Sequence, residues 1–197
     1  MQIEPFILVG GRSTRFGVDK ATFEFEGETL AERAARVAET ALVTAPAVFV
    51  TASGSSFPAF GGRTVIHDIV PDRGAAGAIH SAFTIARTEW IFVLSCDLPF
   101  VSAEFISLMR ERILPEFAAV VPVQADGRWQ PLCGFYRVAD CLPLVTSALT
   151  TSGKHPSFKD LLSGLNVRMI ASDEYQDLPN SDRLLRNVNS PEDLTAV

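Results

Sequence analysis

Apolar and polar residues follow one another along this chain in two rhythms, and their succession outlines a fold. Phe6-Ile7-Leu8-Val9 and Trp90-Ile91-Phe92-Val93-Leu94 are unbroken apolar runs of strand length. Such runs belong to parallel strands covered on both faces, and the second predicts the centre of a sheet. Ala47 to Thr51, Thr64 to His67, Ala118 to Val123, the run from Trp129 through Cys133 to Tyr136, and Val167 to Ala171 read as further strands. Between them the spacing turns helical. Leu30, Ala34, Val37, Ala38 and Ala41 form one stripe behind the capping box Thr29-x-x-Glu32. Ile79, Ala82, Phe83 and Ala86 share a second face, and Phe105, Met109 and Ile113 predict a helix from Ser102 that stops at Pro115. Residues 138–149 and Phe158 to Leu162 predict two more helices on either side of a polar segment, 150–157, and Phe23 to Glu28 a short hairpin turning at Gly27. Strands alternating with helices predict the α/β class. We expect a single domain over residues 1–197, with a mostly parallel twisted sheet, helices on both faces and ligands outside the carboxyl ends of the strands.

Composition narrows the class further. Hydrophobic residues make up 47% of the 197 and charged residues 20%, which excludes a disordered or fibrous chain. A net charge of -6 speaks against binding a nucleic-acid backbone, which selects basic faces. No apolar run approaches the roughly 18 residues of a membrane helix, and the N-terminus lacks the basic start and long apolar core of a signal peptide, so the expected location is the cytoplasm, with no membrane partner. Cys96, Cys133 and Cys141 are odd in number and form no Cys-x-x-Cys pair, which suggests neither a disulfide framework nor a zinc site.

One segment departs from this background. Gly10-Gly11-Arg12-Ser13-Thr14-Arg15-Phe16-Gly17-Val18-Asp19-Lys20 follows the first apolar run. Adjacent glycines let backbone N–H groups approach a ligand and form a concave anion site. Arg12, Arg15 and Lys20 against Asp19 leave a local excess of positive charge inside an acidic chain. The glycines match neither the Walker loop nor the Gly-x-Gly-x-x-Gly of dinucleotide-binding loops. Two carboxylates fall on the same sheet edge, Asp68 after the third strand and Asp97 after the Trp90 run. A carboxylate at the end of a central strand is poorly solvated and calls for a cation. Pro71-Asp72-Arg73-Gly74-Ala75-Ala76-Gly77 opens a helix with small residues, which suits either close ligand approach or tight packing of the helix on the sheet.

The pattern Gly-Gly-x-Ser-x-Arg-Phe-Gly-x-Asp-Lys resembles the signature of nucleotidyltransferases that load a nucleoside triphosphate and expel pyrophosphate. Within that group the Gly-Gly resembles the molybdenum cofactor guanylyltransferases. The resemblance extends to Val65-Ile66-His67-Asp68 with Gly74 to Gly77, to Cys96-Asp97-Leu98-Pro99, and to Asn187-Val188-Asn189-Ser190-Pro191-Glu192-Asp193-Leu194. It implies a nucleotide-diphospho-sugar transferase fold and a transfer of GMP from GTP to molybdopterin or the molybdenum cofactor. It further implies that Leu8, Val9, Gly10, Gly11, Lys20, Thr51, Asp68 and Asp97 contact GTP, that Arg15 and Lys20 stabilise phosphate charge, and that Asp97 is catalytic and holds Mg2+. Gln130 and Pro131 would then lie near the acceptor, Asn187 and Asn189 would bound it beside the metal or the pterin, and proteins that deliver or receive the cofactor would be further partners. The chain departs from the family pattern at Val9, Phe16, Thr51, Ala75-Ala76 and Gln130. Thr51 replaces only part of the hydrogen bonding of the amide common there. Two other readings stay open: transfer of CMP or another nucleotide to a different phosphate-bearing acceptor, and nucleotide binding without catalysis. Taken by themselves, Asn187 and Asn189 also fit a turn leading into a last helix.

Overall fold

The computed structural model describes residues 1–9, 20–43, 46–150 and 156–195. Its framework is a seven-stranded sheet. In chain order the elements are β1 (Ile3–Leu8), a two-stranded hairpin of β2 (Glu24–Phe25) and β3 (Glu28–Thr29), α1 (Leu30–Leu42), β4 (Val48–Thr51), β5 (Val65–His67), α2 (Gly74–Ile85), β6 (Trp90–Ser95), α3 (Ala103–Arg110), β7 (Ala119–Pro122), β8 (Cys133–Arg137), α4 (Val138–Thr150), α5 (Phe158–Leu162), β9 (Val167–Ile170) and α6 (Glu192–Thr195). Across the sheet the order is β5-β4-β1-β6-β8-β7-β9, so β6 is central, as the Trp90 run predicts.

β1, β4, β5, β6, β7 and β9 run one way and β8 alone runs against them. That reversal has a functional consequence: the start of β8 arrives at the edge where its neighbours end. Ser95 N–H at the end of β6 donates to the carbonyl of Leu132, just before β8, at 2.8 Å.

Alternation along β6 divides the core between the two faces. Trp90, Phe92 and Leu94 pack with α1, α3 and the C-terminal Leu184, Leu185 and Val188. Ile91 and Val93 pack with α2, α4 and α5. Each fully buried Phe or Leu contributes about 1.5–3 kcal/mol, and β6 is buried along its whole length.

The local chemistry of the helices follows the sequence closely at their starts. At α1, Thr29 Oγ1 accepts from Glu32 N–H at 3.2 Å and the Glu32 carboxylate accepts from Thr29 N–H at 3.1 Å, which closes the capping box. At α3, Ser102 Oγ accepts from Phe105 N–H at 3.2 Å. The end of α3 departs from expectation, because regular helix stops at Arg110, short of Pro115. There the bonds tighten to three-residue spacing, Arg112 to Met109 at 3.1 Å and Ile113 to Arg110 at 3.2 Å, which still lets Ile113 pack on the core. Among the described residues no helix is long and apolar enough to cross a membrane.

Candidate functional site

Parallel strands that end together deliver their next residues to one edge, and here four of them do. Val9 N–H follows β1 and donates to Val50 O at 2.9 Å, Asp68 N–H follows β5 and donates to Thr51 O at 2.9 Å, and Cys96 N–H follows β6 and donates to Leu8 O at 3.1 Å. These bonds continue the ladder past the strand ends and hold Leu8, Val9, Thr51, Asp68 and Asp97 along one rim. A cleft of about 520 Å³ opens there. Leu8, Val9, Thr51 and Asp68 line it, as do Ser55, Asp72, Ser95 and Leu132, which the sequence pattern does not single out.

The packing reading of the small-residue loop is met. Ala75 lines the cleft. At Gly77 a Cβ would lie 2.8 Å from Val70 O, so glycine lets α2 close against the turn after Asp68. That turn is itself tied down: Ser53 Oγ donates to Asp68 O at 2.7 Å, and Ile69 N–H donates to Ser81 Oγ at 2.9 Å. The Asp68 side chain is left with a buried Oδ1 that has no hydrogen-bond partner among the described residues. Burial pushes its carboxyl up to about 6, with His67 opposing the rise.

Asp97 is prepared differently. The C-terminal segment crosses behind it, with Val188 N–H donating to Asp97 O at 2.9 Å. Val188 is buried in the core, whereas its neighbours Asn187 and Asn189 are half-buried and exposed. Asn187 Nδ2 donates to Asp97 Oδ2 at 2.9 Å. Lys20 Nζ lies 3.8 Å from the same oxygen and donates to Asn189 Oδ1 at 3.5 Å. Asp97 Oδ1 is buried and, among the described residues, has no hydrogen-bond partner. The turn after Asn189 is capped by Asp193, whose carboxylate accepts from the N–H groups of Asn189 and Ser190 at 2.7 and 2.9 Å. Both Asn side chains are therefore turned to the Asp97 cluster and leave the turn to Asp193.

A second cleft of about 670 Å³ opens on the far side of these Asn residues. Arg128, Tyr175, Ser181 and Arg186 line it together with Asn187 and Asn189. The sequence signal for it is Asn187 and Asn189 themselves, with Arg186 directly before them unmarked by the motif. Gln130 is 6% exposed and donates from Nε2 to Asn187 Oδ1 at 2.7 Å, so it reaches the cluster from inside the protein. Pro131 O accepts from the Tyr136 hydroxyl beneath it. Gly10, Gly11 and Arg15 lie outside the described residues.

Among the described residues no three His, Cys, Asp or Glu side chains gather into a metal cage. A hard cation held mainly by phosphates and water needs only one or two carboxylates. The unpartnered oxygen of Asp97 fits such a cation.

A mostly parallel α/β sheet whose strand-end cleft adjoins a Lys, Asp and Asn cluster has the form of a nucleotidyltransferase. Residues 6–168 match the MobA-like NTP transferase domain, and the chain belongs to that family. A probable molybdenum cofactor guanylyltransferase from Bacillus cereus is 32% identical over 191 residues, spanning 95% of this chain and 91% of that relative. The fold is similar to that of molybdopterin-guanine dinucleotide biosynthesis protein A from Archaeoglobus fulgidus, with a TM-score of 0.77, 22% identity and coverage of 98% and 95% of the two chains. It is also similar to that of 2-C-methyl-D-erythritol 4-phosphate cytidylyltransferase from Thermus thermophilus, with a TM-score of 0.70, 17% identity and coverage of 99% and 96%.

Proposed function

We propose that this chain transfers GMP from GTP to the phosphate of molybdopterin, forming the guanine dinucleotide cofactor and releasing pyrophosphate. One observation carries the reading: the Lys20, Asp97 and Asn187 cluster joins two clefts of substrate size. Ser95, which lines the first, is two residues from Asp97, and Asn187, which lines the second, is bonded to it. GTP would occupy the first cleft and the pterin phosphate the second.

In the transfer, an acceptor phosphate oxygen attacks the α-phosphorus of GTP. A new P–O bond forms while the bond to the bridging oxygen of the β-phosphate breaks, and the electron pair leaves with pyrophosphate. A phosphate monoester, with a second pKa of roughly 6, is largely dianionic at neutral pH, so no general base is required. Lys20 stands where charge builds on the phosphates, and a preorganised cation stabilises that charge most strongly away from bulk water. Arg15 is proposed for the same role. Mg2+ at Asp97 Oδ1 would neutralise the α-phosphate and orient it. Arg128 and Arg186 line the second cleft among Asp126, Asp173 and Asp182, and Arg128 is paired with Asp126 at 2.6 Å, so an acceptor phosphate would have to draw these guanidinium groups from their partners.

Asp68 supports guanine. An ionised carboxylate only accepts, and guanine alone among the common bases offers two adjacent donors, N1–H and the 2-amino group, to its two oxygens. Leu8, Val9 and Thr51 would flank the nucleotide. The test is pyrophosphate release from purified protein with molybdopterin, run with each nucleoside triphosphate in turn. GTP should exceed CTP by at least about 100-fold, the discrimination expected where mismatched bases leave buried polar groups unpaired. Preference for CTP would reassign the base, and no transfer with any triphosphate would overturn the acceptor.

A further inference from the structure

We propose that Gln130 is a positioning residue for the metal: by fixing which way the Asn187 amide faces, it decides which oxygen of Asp97 is open to the incoming cation. The inference rests on the reading of Asp97 as the metal ligand and adds a residue that acts without touching metal or nucleotide.

Chemistry dictates the direction of the relay. An ionised carboxylate cannot donate, so Asn187 must turn its NH2 to Asp97, and it does so at 2.9 Å. The Asn187 oxygen then faces inward and needs a donor, which Gln130 Nε2 supplies at 2.7 Å. Gln130 is in turn fixed from two sides. Its N–H donates to Pro122 O at 2.9 Å, and its Nε2 also reaches Leu185 O at 3.5 Å. The reversed strand β8 brings Gln130 to this edge, and the C-terminal segment brings Asn187. The outcome is an asymmetric carboxylate. Oδ2 carries the Asn187 donor and has the Lys20 ammonium 3.8 Å away, while Oδ1 is buried and unpartnered among the described residues. One oxygen tied and the other left without a partner is the arrangement that a monodentate ligand requires. Without the Gln130 donor, Asn187 is free to rotate its oxygen onto Asp97, and the carboxylate loses the partner that orients it.

Two variants separate this role from packing. Gln130→Met keeps the volume and removes the donor. Gln130→Glu keeps the shape and, when ionised, takes the Asn187 NH2 for itself, which turns the Asn187 oxygen toward Asp97. Mn2+ binding to each purified protein with GTP and no acceptor, followed by the electron paramagnetic resonance of free Mn2+, reads the site without turnover. The Kd for Mn2+ should rise about 10-fold in Gln130→Met and about 100-fold in Gln130→Glu, the range that orienting partners of metal ligands command. At saturating metal, the GTP affinity of Gln130→Met should stay within about twofold of wild type. A packing role alone would lower the melting temperature and leave Mn2+ affinity unchanged, and that result in Gln130→Met overturns the inference. If Gln130→Glu does not fold, the Met variant decides. Asp97→Asn serves as the control: if it binds Mn2+ as tightly as wild type, the reading of Asp97 as ligand fails first, whereas its loss of Mn2+ together with an unchanged Gln130→Met removes the inference alone.

Discussion

Asp68 and Asp97 occupy equivalent places, each just past the carboxyl end of a parallel strand, yet their surroundings prepare them oppositely. Asp68 is desolvated against the α2 turn, with an oxygen that has no partner among the described residues, and burial lifts its carboxyl to about 6. Asp97 has one oxygen held by Asn187 with Lys20 close by, and the other open. A carboxylate short of donors suits a ligand that brings donors, such as the edge of a base. A carboxylate with a cation nearby and one open oxygen suits a metal that bridges to phosphate. Sheet topology puts both on one rim. The difference in surroundings comes from what crosses behind each, α2 behind Asp68 and the C-terminal segment behind Asp97.

The sharpest way to break this comparison is to remove one charge at a time. Asp97→Asn should cut turnover by about three orders of magnitude, the several kcal/mol that a catalytic metal ion supplies, while nucleotide binding in the first cleft persists. Steady-state transfer and equilibrium GTP binding on the same preparation check this. A wild-type rate at saturating Mg2+ would remove Asp97 from the metal role. Lys20→Ala follows in size. Its ammonium lies 3.8 Å from Asp97 and 3.5 Å from Asn189, at the point where the two halves of the site meet. Transfer should fall about 100-fold, with a smaller loss in GTP affinity, because charge on the phosphates grows toward the transition state. An equal loss in kcat/KM and in affinity would mean that Lys20 only binds.

The two halves were also unequally legible in the sequence. Asp68 and Asp97 could be placed on one rim because apolar runs locate strand ends and alternation with helices implies parallel strands, whereas Leu8, Val9 and Thr51 came with the family resemblance alone. The helix starts at Thr29 and Ser102 were legible because capping is local chemistry. The relay was not. Gln130 to Asn187, Asn187 to Asp97 and Lys20 to Asn189 join residues 57, 90 and 169 positions apart. No period in the chain encodes such contacts. They depend on the single reversed strand and on Val188 anchoring in the core. Gln130, expected beside the acceptor, is 6% exposed and bonds to Asn187 from inside the protein, a contact the motif does not encode. Apart from Asn187 and Asn189, the polar residues of the second cleft gave no pattern, since an exposed Arg or Ser reads the same on any solvated surface.

The smallest expected effect concerns stability and isolates Asp68. Its carboxyl lies at about 6 in the folded chain against an ordinary value of 3.8, and desolvation is the main cause, with His67 acting in the opposite direction. Below 3.8 both folded and unfolded chains keep the proton, and burial costs nothing. As pH rises toward 6 the unfolded chain releases the proton while the folded chain retains it, so folding loses ground until the full cost of a buried charge is reached. Asp68→Asn keeps the shape and removes the charge. Its melting temperature should match wild type near pH 3 and exceed it by about 2–4 °C at pH 8, the shift that roughly 1 kcal/mol produces in a chain of this size. Over the same range the wild type should lose GTP affinity as pH falls through 6, whereas the variant should bind GTP weakly at every pH. An equal melting difference at both pH values would point to packing. A wild type more stable than the variant at pH 8 would mean that a cation already meets Asp68 in the free protein, and the contrast with Asp97 would collapse.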